Sequence, residues 1–258
     1  MDLGSERILG VVLVTAAMLM LPQFASAQSV SIQTATLGQN QTTAEISTDQ
    51  LRHILQDGSA TVFDARPMME FAAGHIPGAV NVSAKAGAPM SLYVSDVVEI
   101  ERVVHGDKDR AIVLYCNGPF CGKSSRLADE LVQAGFTNVR RYQLGAPIWR
   151  ALGGVMQIEP EGVAYVRQGD HTVRLYDARA KADFVVGTLP GAINLQKEDV
   201  ERAKDDGRLP MEDHNTRIVV FGSTVEQARA TAETIARNAF HNVMFCAIAF
   251  CGQHATSE

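Results

Sequence analysis

Residues 111–135 read AIVLYCNGPFCGKSSRLADELVQAG, and this stretch decides the fold. Its first five residues form a short apolar run rich in β-forming side chains, which predicts a buried strand. After the second cysteine the apolar residues recur at helical spacing, with Ser124 as the expected N-cap and Gly135 as the expected stop. The stretch therefore predicts a strand, a loop that begins with Cys116, and a helix.

The loop that follows Cys116 has the composition of an anion-binding site. A helix start carries unpaired N–H groups and about half a positive charge. Gly118 and Gly122 allow loop amides to turn inward without a Cβ clash, and Lys123 adds a full positive charge. We therefore expect a lowered pKa for the Cys116 thiol and a nucleophilic sulfur beside a site for an anionic substrate. The alternative is a buried structural cysteine.

Composition narrows the function classes. A chain of 258 residues with 46% apolar content can form one large domain or two of ordinary size. The net charge of −6 and the lack of a long basic run argue against nucleic acid as a partner. The four cysteines form two pairs, 116/121 and 246/251, whose spacing does not match common zinc sites, so no metal and no cofactor is expected. Cys246 and Cys251 are open to three interpretations: a structural disulfide, two buried thiols, or a disulfide with one of the first two cysteines.

The amino-terminal segment is expected to direct export. Residues 1–27 combine an apolar stretch with the small residues Ala25-Ser26-Ala27, which fits a cleaved signal peptide. Residues 28–45 are polar and lack periodicity, which predicts a flexible leader. The mature protein is thus expected in the periplasm, or otherwise exported, without stable membrane association. An uncleaved membrane anchor is the alternative.

Beyond the leader, strands alternate with helices. A capped helix begins at Ser47, residues 91–104 have helical periodicity, and short strands are predicted at 61–63, 80–82 and 138–142. This alternation predicts a parallel α/β sheet covered on both faces. In such sheets ligands bind at the carboxyl ends of the strands, where Cys116 is expected.

The pattern then repeats further along the chain. Asp177-Ala178-Arg179 copies Asp64-Ala65-Arg66, and the residues that follow each copy also match. The protein is therefore a tandem duplication, with residues 155–162 as the expected linker. The second copy has Gly222 where Cys116 stands in the first, so it is expected to lack a nucleophile.

Several motifs resemble the rhodanese-like sulfurtransferases. They are the Asp-x-Arg at 64–66, Glu-Phe-x-x-Gly-His-Ile-Pro-Gly-Ala at 70–79, the strand that ends in Cys116, and the Gly-x-x-x-Trp at 145–149. The resemblance implies two tandem domains, each a five-stranded parallel sheet flanked by helices. The active domain would span 46–154, and a degenerate one 163–253.

The resemblance also implies a mechanism and a site. Cys116 would be the catalytic residue, taking sulfane sulfur from a small anionic donor such as thiosulfate and passing it to a thiol, cyanide or protein acceptor. The remaining site residues fall into two expected groups. Substrate binding is assigned to Asn117, Gly118, Pro119, Phe120, Cys121, Gly122, Lys123 and Ser124. Support of the loop by hydrogen bonds is assigned to Asp64, Arg66, Glu70 and His75.

Three other functions compete with sulfur transfer. Cys116 and Cys121 could close a disulfide across the loop, which would suit a thiol–disulfide redox protein in an oxidising compartment. Related folds include phosphatases and arsenate reductases with Cys-x₅-Arg, but the sixth residue after Cys116 is Gly122, followed by Lys123, which cannot grip an oxyanion bidentately. A non-enzymatic sulfur carrier or binding module is the third.

Overall fold

The computed structural model describes residues 31–38, 42–83 and 96–247. The signal peptide predicted at 1–27 lies outside the described residues, and so do the first residues of the helix predicted at 91–104. Within the described ranges, no helix combines the length and the apolar character that a membrane crossing requires.

The first half of the chain forms a five-stranded parallel sheet in the order β1-β5-β4-β2-β3. Its strands are β1 (Ala44–Glu45), β2 (Thr61–Asp64), β3 (Val80–Asn81), β4 (Ile112–Tyr115) and β5 (Val139–Tyr142). Its helices are α1 (Thr48–Asp57), α2 (Met68–Ala72), α3 (Asp96–Val103), α4 (Gly122–Gln133) and α5 (Gly145–Ala151). The predicted α/β class and the parallel sheet are confirmed.

The second half repeats this topology, with a parallel sheet in the order β6-β10-β9-β7-β8. Its strands are β6 (Met156–Ile158), β7 (Arg174–Asp177), β8 (Ile193–Asn194), β9 (Ile218–Phe221) and β10 (Val243–Cys246). Its helices are α6 (Pro160–Gly169), α7 (Lys181–Val186), α8 (Val200–Ala203) and α9 (Val225–Ala236), with a 3₁₀ turn at Lys197–Asp199. The two sheets are equivalent strand for strand, which confirms the tandem repeat.

Two segments predicted as a flexible leader and as a linker contribute edge strands. The end of the leader predicted at 28–45 forms β1, because Ala44 and Glu45 pair with β5 and the Glu45 carboxylate accepts the N–H groups of Leu37 and Gly38. The linker predicted at 155–162 forms β6 and opens α6, because its backbone pairs with β10. Sequence periodicity misses both strands, since neither is longer than three residues.

Side chains on the central strands alternate between two cores. Val113 and Tyr115 of β4 face a core that both repeats share, and Val219 and Phe221 of β9 face the same core. The intervening residues of β4 pack under α3 and α4, and those of β9 pack under α8 and α9. Each sheet is therefore buried on both faces, as parallel sheets require.

Local signals set the ends of α1 as predicted. Ser47 accepts the N–H of Gln50, and the Gln50 side chain accepts the N–H of Ser47, which forms a capping box. Gly58 ends the helix in the left-handed region. Cys246 ends β10, where it is buried and disulfide-bonded, so two free buried thiols is the wrong alternative; Cys251 lies outside the described residues.

Candidate active site

Cys116 lies at the carboxyl end of β4, in the middle of the first sheet. Tyr115 pairs with Asp64 of the adjacent strand, and the Tyr115 carbonyl accepts the N–H of Ala65, so the loops after β2 and β4 leave the sheet side by side. Cys116 is 4% exposed, and its carbonyl accepts the N–H of Ala146 at the start of α5. The predicted position of Cys116 at the carboxyl end of a strand is therefore confirmed, and the loops after β2, β4 and β5 meet there.

The sulfur of Cys116 is bonded to Cys121, which corrects the expectation of a free thiolate. The two α-carbons are 6.2 Å apart, within the usual range for a disulfide. The five-residue separation lets the loop fold back onto its own start. In this oxidised form Cys116 carries no nucleophilic thiolate, and a two-electron reduction is needed to release one.

Helix α4 begins earlier than the sequence predicts. Cys121 is its N-cap, in an extended conformation, whereas Ser124 lies inside the first turn with its side chain buried and is not the cap. Gly122 and Lys123 already adopt helical geometry, so α4 begins at Gly122. The half-charge of a twelve-residue helix is consequently applied directly at Cys121 and the loop before it.

The loop between the two cysteines is a tight, supported turn. Gly118 has a φ of +106°, which favours glycine, and its carbonyl accepts the N–H of Cys121 at 3.0 Å. The Pro119 carbonyl accepts a hydrogen bond from Gln143 at 2.8 Å. Phe120 is fully exposed at the tip of the loop.

A relay of buried polar side chains supports this loop, and sequence reasoning missed it. Arg141 on β5 donates to the Gln143 carboxamide oxygen at 2.6 Å and to Glu45 at 3.2 Å. Gln143 in turn holds Pro119. Arg141 is 1% exposed, and a buried charge is costly unless it is paired. The Glu45 carboxylate on the edge strand β1 supplies the opposite charge. The only signal in the sequence is a pair of arginines within a predicted strand.

Lys123, predicted to attract an anionic donor, is engaged by other groups. Its ammonium donates to the Ser83 hydroxyl at 2.8 Å and lies 3.6 Å from an Asp96 carboxylate oxygen. The Ser83 hydroxyl donates to the carbonyl of Arg66, so Lys123 ties α4 to the loop after β2. The carboxylate offsets much of the charge that the loop sequence suggested.

Asn117 and Glu70 connect the cysteine loop with α2. The Asn117 carboxamide donates to a Glu70 carboxylate oxygen at 2.5 Å. Glu70 thus lies where the sequence places a supporting residue. Asn117, the residue directly after Cys116, is exposed beside it.

Asp64 and Arg66 form the buried centre of the support. The Arg66 guanidinium donates to both Asp64 oxygens and to the Gly74 carbonyl at 2.8 Å. The Tyr115 hydroxyl donates to the same carboxylate at 2.6 Å and accepts the N–H of Ile76. Burial and the neighbouring carboxylate hold the pKa of Tyr115 well above its usual value, so its hydroxyl stays protonated.

His75 connects the two repeats. Its backbone exchanges hydrogen bonds with Gln157 of β6 at 2.9 and 2.8 Å. Its ring stacks on Phe71, with centroids 3.7 Å apart, and one ring nitrogen contacts the Phe71 carbonyl. Burial lowers the pKa of His75 to about 4, so the imidazole is neutral at pH 7 and its 3.6 Å approach to Glu159 is not an ion pair there.

Both halves of the chain match a known protein family. A family model described as rhodanese-like domain matches residues 47–152 and again residues 163–247. The chain belongs to the rhodanese-like family. Each match covers all strands of one sheet except its edge strand, β1 or β6, so each sheet is the core of one rhodanese-like repeat.

Two curated relatives match one part of the chain each. The human thiosulfate:glutathione sulfurtransferase is 31% identical over 107 residues, which cover 38% of this chain and 84% of that protein. The HTH-type transcriptional regulator Rv0324 of Mycobacterium tuberculosis is 34% identical over 96 residues, 37% of each chain. The match thus spans little more than a third of the regulator's length.

Solved structures that resemble this one include two sulfurtransferases. The 3-mercaptopyruvate sulfotransferase SseA of Escherichia coli is 17% identical, with 80% of this chain and 98% of that chain covered and a TM-score of 0.35. The thiosulfate sulfurtransferase of Pseudomonas aeruginosa is 18% identical, with 79% and 40% covered and a TM-score of 0.33.

The second rhodanese-like repeat keeps the support but not the cysteine. Arg179 grips Asp177 and the Gly187 carbonyl as its counterpart does in the first repeat. Thr188 donates to the Asp177 carboxylate at 2.8 Å. This hydroxyl replaces that of Tyr115, because β9, the strand equivalent to β4, ends in Phe221, which has no hydroxyl.

In the second repeat, the Gln227 side chain fills the loop after β9. Gly222 stands at the position of the cysteine, and the Gln227 carboxamide oxygen accepts the N–H of Ser223 at 2.8 Å. A β-carbon on Gly222 would come within 2.9 Å of that oxygen. Within the described ranges, no cluster of three or more histidine, cysteine or carboxylate side chains is placed to hold a metal ion.

Proposed function

We propose that this rhodanese-like protein is a sulfurtransferase that carries sulfane sulfur as a persulfide on Cys116. The observation that supports this best is the position of Cys116 at the carboxyl end of the central strand β4, immediately before a loop that ends in the N-terminus of α4. Unpaired amides and the helix dipole at that point favour an anionic sulfur. The sulfurtransferase relatives agree with this reaction class.

The proposed reaction has two displacements. The Cys116 thiolate attacks the outer sulfur of a donor such as thiosulfate, a sulfur–sulfur bond forms, and the donor's own sulfur–sulfur bond breaks with sulfite leaving. An acceptor thiolate or cyanide then attacks the outer sulfur of the persulfide and restores the Cys116 thiolate. The loop amides stabilise the anionic sulfur in both steps.

The disulfide between Cys116 and Cys121 supports a second candidate, thiol–disulfide exchange. An external thiolate attacks one sulfur of the disulfide and forms a mixed disulfide, and the other cysteine leaves as a thiolate. A second external thiolate then releases the reductant as its own disulfide. The partly exposed Cys121 at the start of α4 is the more accessible sulfur for such an attack, since Cys116 is buried.

We also propose that the protein acts after export. The support is the predicted signal peptide at 1–27 together with a disulfide, a bond that is common in oxidising compartments and rare in the cytosol. The partners would then be a small anionic sulfur donor and a thiol, cyanide or protein acceptor.

Intact mass of the mature protein separates the two candidates. The protein is reduced, freed of reductant, treated with thiosulfate and compared with Cys116→Ser and Cys121→Ser. Sulfur transfer predicts a gain of about 32 Da, one sulfur atom, in Cys121→Ser and none in Cys116→Ser. Redox exchange without sulfur transfer predicts no gain with thiosulfate in Cys121→Ser. It also predicts that an external disulfide, added in a separate reaction as the oxidant, removes about two more mass units from the wild type than from Cys116→Ser, which cannot close the loop disulfide. Unchanged reduced masses throughout would contradict both and favour a binding module.

A further inference from the structure

A cleft of about 230 Å³ opens beside the cysteine loop, between the two repeats. Asn117 and Ala146 line it from the first repeat, and Met156 and Met244 line it from the second. The volume corresponds to about eight water molecules at about 30 Å³ each. The cleft therefore has room for a molecule of a few heavy atoms, and it begins at the residue that follows Cys116.

Three arginines also line this cleft: Arg66, Arg150 and Arg217. Arg66 is committed to the buried Asp64 carboxylate. Arg150, on α5, donates at 3.2 Å to the Asn242 carboxamide, and no carboxylate of the described residues lies within salt-bridge distance of it. Arg150 is therefore a cation whose charge the described part of the chain does not neutralise.

Arg217 comes from the second repeat, at the residue before β9. Its Nε lies 3.7 Å from an Asp170 oxygen, so the two partly exposed side chains form an ion pair. The separation is beyond hydrogen-bond range, and the buried Nε has no hydrogen-bond partner among the described residues. A buried donor left unpaired costs free energy unless a ligand or water accepts from it. Glu70, the carboxylate in the cleft lining, accepts a hydrogen bond from the neutral Asn117 carboxamide and keeps its negative charge.

The charges around Arg150 agree with this geometry. Burial lowers the pKa of Arg150, and the neighbouring Arg217 and Arg66 lower it further. Three guanidinium groups thus line a cleft whose lining holds one carboxylate, Glu70, and an anion placed between Arg150 and Arg217 would relieve the repulsion between these two. Guanidinium groups bind planar or tetrahedral oxyanions with paired hydrogen bonds.

We propose that Arg150 and Arg217 bind the oxyanion group of the sulfur donor, a sulfonate or a carboxylate, so that the repeat without a cysteine supplies half of the donor site. This rests on the sulfurtransferase function proposed above. The proposal gives the second repeat a role in donor binding, because its Arg217 lines the same cleft as Asn117 of the cysteine loop in the first repeat. The size of the cleft favours a small donor over a tripeptide persulfide.

The test measures KM and kcat with thiosulfate and with 3-mercaptopyruvate for Arg150→Gln, Arg217→Gln and the charge-retaining Arg217→Lys. We expect KM to rise about tenfold in each glutamine variant, less in Arg217→Lys, with kcat changed by less than about twofold. A rise with thiosulfate alone identifies a sulfonate site, and one with mercaptopyruvate alone a carboxylate site. Arg202→Gln, an exposed arginine of the second repeat paired with Asp199, is the control and should change neither parameter.

A second measurement does not depend on turnover. Sulfate binding to Cys116→Ser, followed by calorimetry, should weaken about tenfold when Arg150→Gln or Arg217→Gln is added. If no donor is turned over but sulfate binding still depends on both arginines, the sulfurtransferase function fails and the oxyanion site stands. Unchanged sulfate affinity in both variants, or a melting temperature that falls equally in Arg217→Gln and Arg217→Lys without a change in affinity, overturns the site.

Discussion

The α-carbon of Gly145 lies so close to the carbonyl oxygen of Cys116 that a β-carbon on Gly145 would come within 2.4 Å of that oxygen. The same β-carbon would meet the Gly118 nitrogen at 2.4 Å. Gly145 has a φ of +67°, and the next residue, Ala146, donates its N–H to the Cys116 carbonyl. The start of α5 is therefore fitted against the cysteine loop, and only glycine can occupy the position of contact.

Gly145→Ala should move the cysteine loop as well as destabilise the fold. We expect a loss of unfolding free energy of at least about 2 kcal/mol, from the left-handed backbone and the clash together. Sulfur loading of Cys116 should fall as well. Gly135→Ala is the matched control, because Gly135 has a φ of +90° but nothing within 4 Å of the added methyl group. Urea denaturation of both variants checks this, and an equal loss in both would contradict the clash.

Tyr115→Phe should weaken the support of the first repeat. It removes the donor at 2.6 Å from the buried Asp64 carboxylate and the acceptor of the Ile76 N–H. We expect a loss of about 2–3 kcal/mol, because the lost bond is to a charged group and leaves a buried amide unpaired. Tyr142→Phe is the comparison: its hydroxyl bonds the neutral Thr48 hydroxyl, and about 1 kcal/mol is expected. Chemical denaturation of both variants should rank them in this order, and the reverse order would argue against the charged partner.

The buried imidazole of His75 should make stability fall in mild acid. Its pKa is about 4 in the folded protein, below the usual 6.5, because burial disfavours the charged form. As pH falls from 6.5 to 4 the unfolded chain takes up a proton that the native protein does not, so the unfolding free energy decreases, by on the order of 3 kcal/mol. Burial raises the pKa of the neighbouring Glu159, which acts in the opposite direction.

Urea midpoints at pH 7.5, 6.5, 5.5 and 4.5 check this for the wild type and His75→Gln. The variant should lose the part of the slope between pH 6.5 and 4 that the imidazole causes. An identical pH dependence in the two proteins would assign the slope to the carboxylates instead.

Much of this fold can be predicted from patterns that extend over only a few residues of the sequence. The capping box at Ser47, the apolar run that becomes β4 and the repeated Asp-x-Arg each act over a few residues, so their spacing is sufficient to predict them. The position of Cys116 at a strand end followed from the same reasoning. Each of these features is confirmed because no distant residue competes with it.

The parts that sequence reasoning missed depend on contacts between distant residues. Lys123 and its partner Asp96 are far apart in the chain, so the pairing that offsets the lysine charge could not be predicted from local spacing. The approach of Arg217 to the cysteine loop depends on how the repeats pack, which no periodicity encodes. The disulfide is one of several states that the sequence leaves open for Cys116, because five-residue spacing permits a bond without requiring one.

Gly222→Cys alone should not create a second active cysteine, although Gly222 occupies the position of Cys116. The new β-carbon would lie 2.9 Å from the Gln227 carboxamide oxygen and 3.1 Å from the Ala228 nitrogen. That oxygen already accepts the N–H of Ser223, so the amide that would stabilise a thiolate is occupied. The negative charge of Glu226 at the start of α9 also opposes an anionic donor.

Adding Gln227→Ala should allow the new cysteine to accept sulfur. The substitution removes the carboxamide beside the new thiol and leaves the Ser223 N–H free to stabilise a thiolate. In a background of Cys116→Ser and Cys121→Ser, we expect reduced Gly222→Cys to gain no sulfur from thiosulfate and Gly222→Cys with Gln227→Ala to gain about 32 Da. Gln227→Ala without the new cysteine is the control. A gain by Gly222→Cys alone would mean that the carboxamide does not close this loop, and that the second repeat lacks only the sulfur atom.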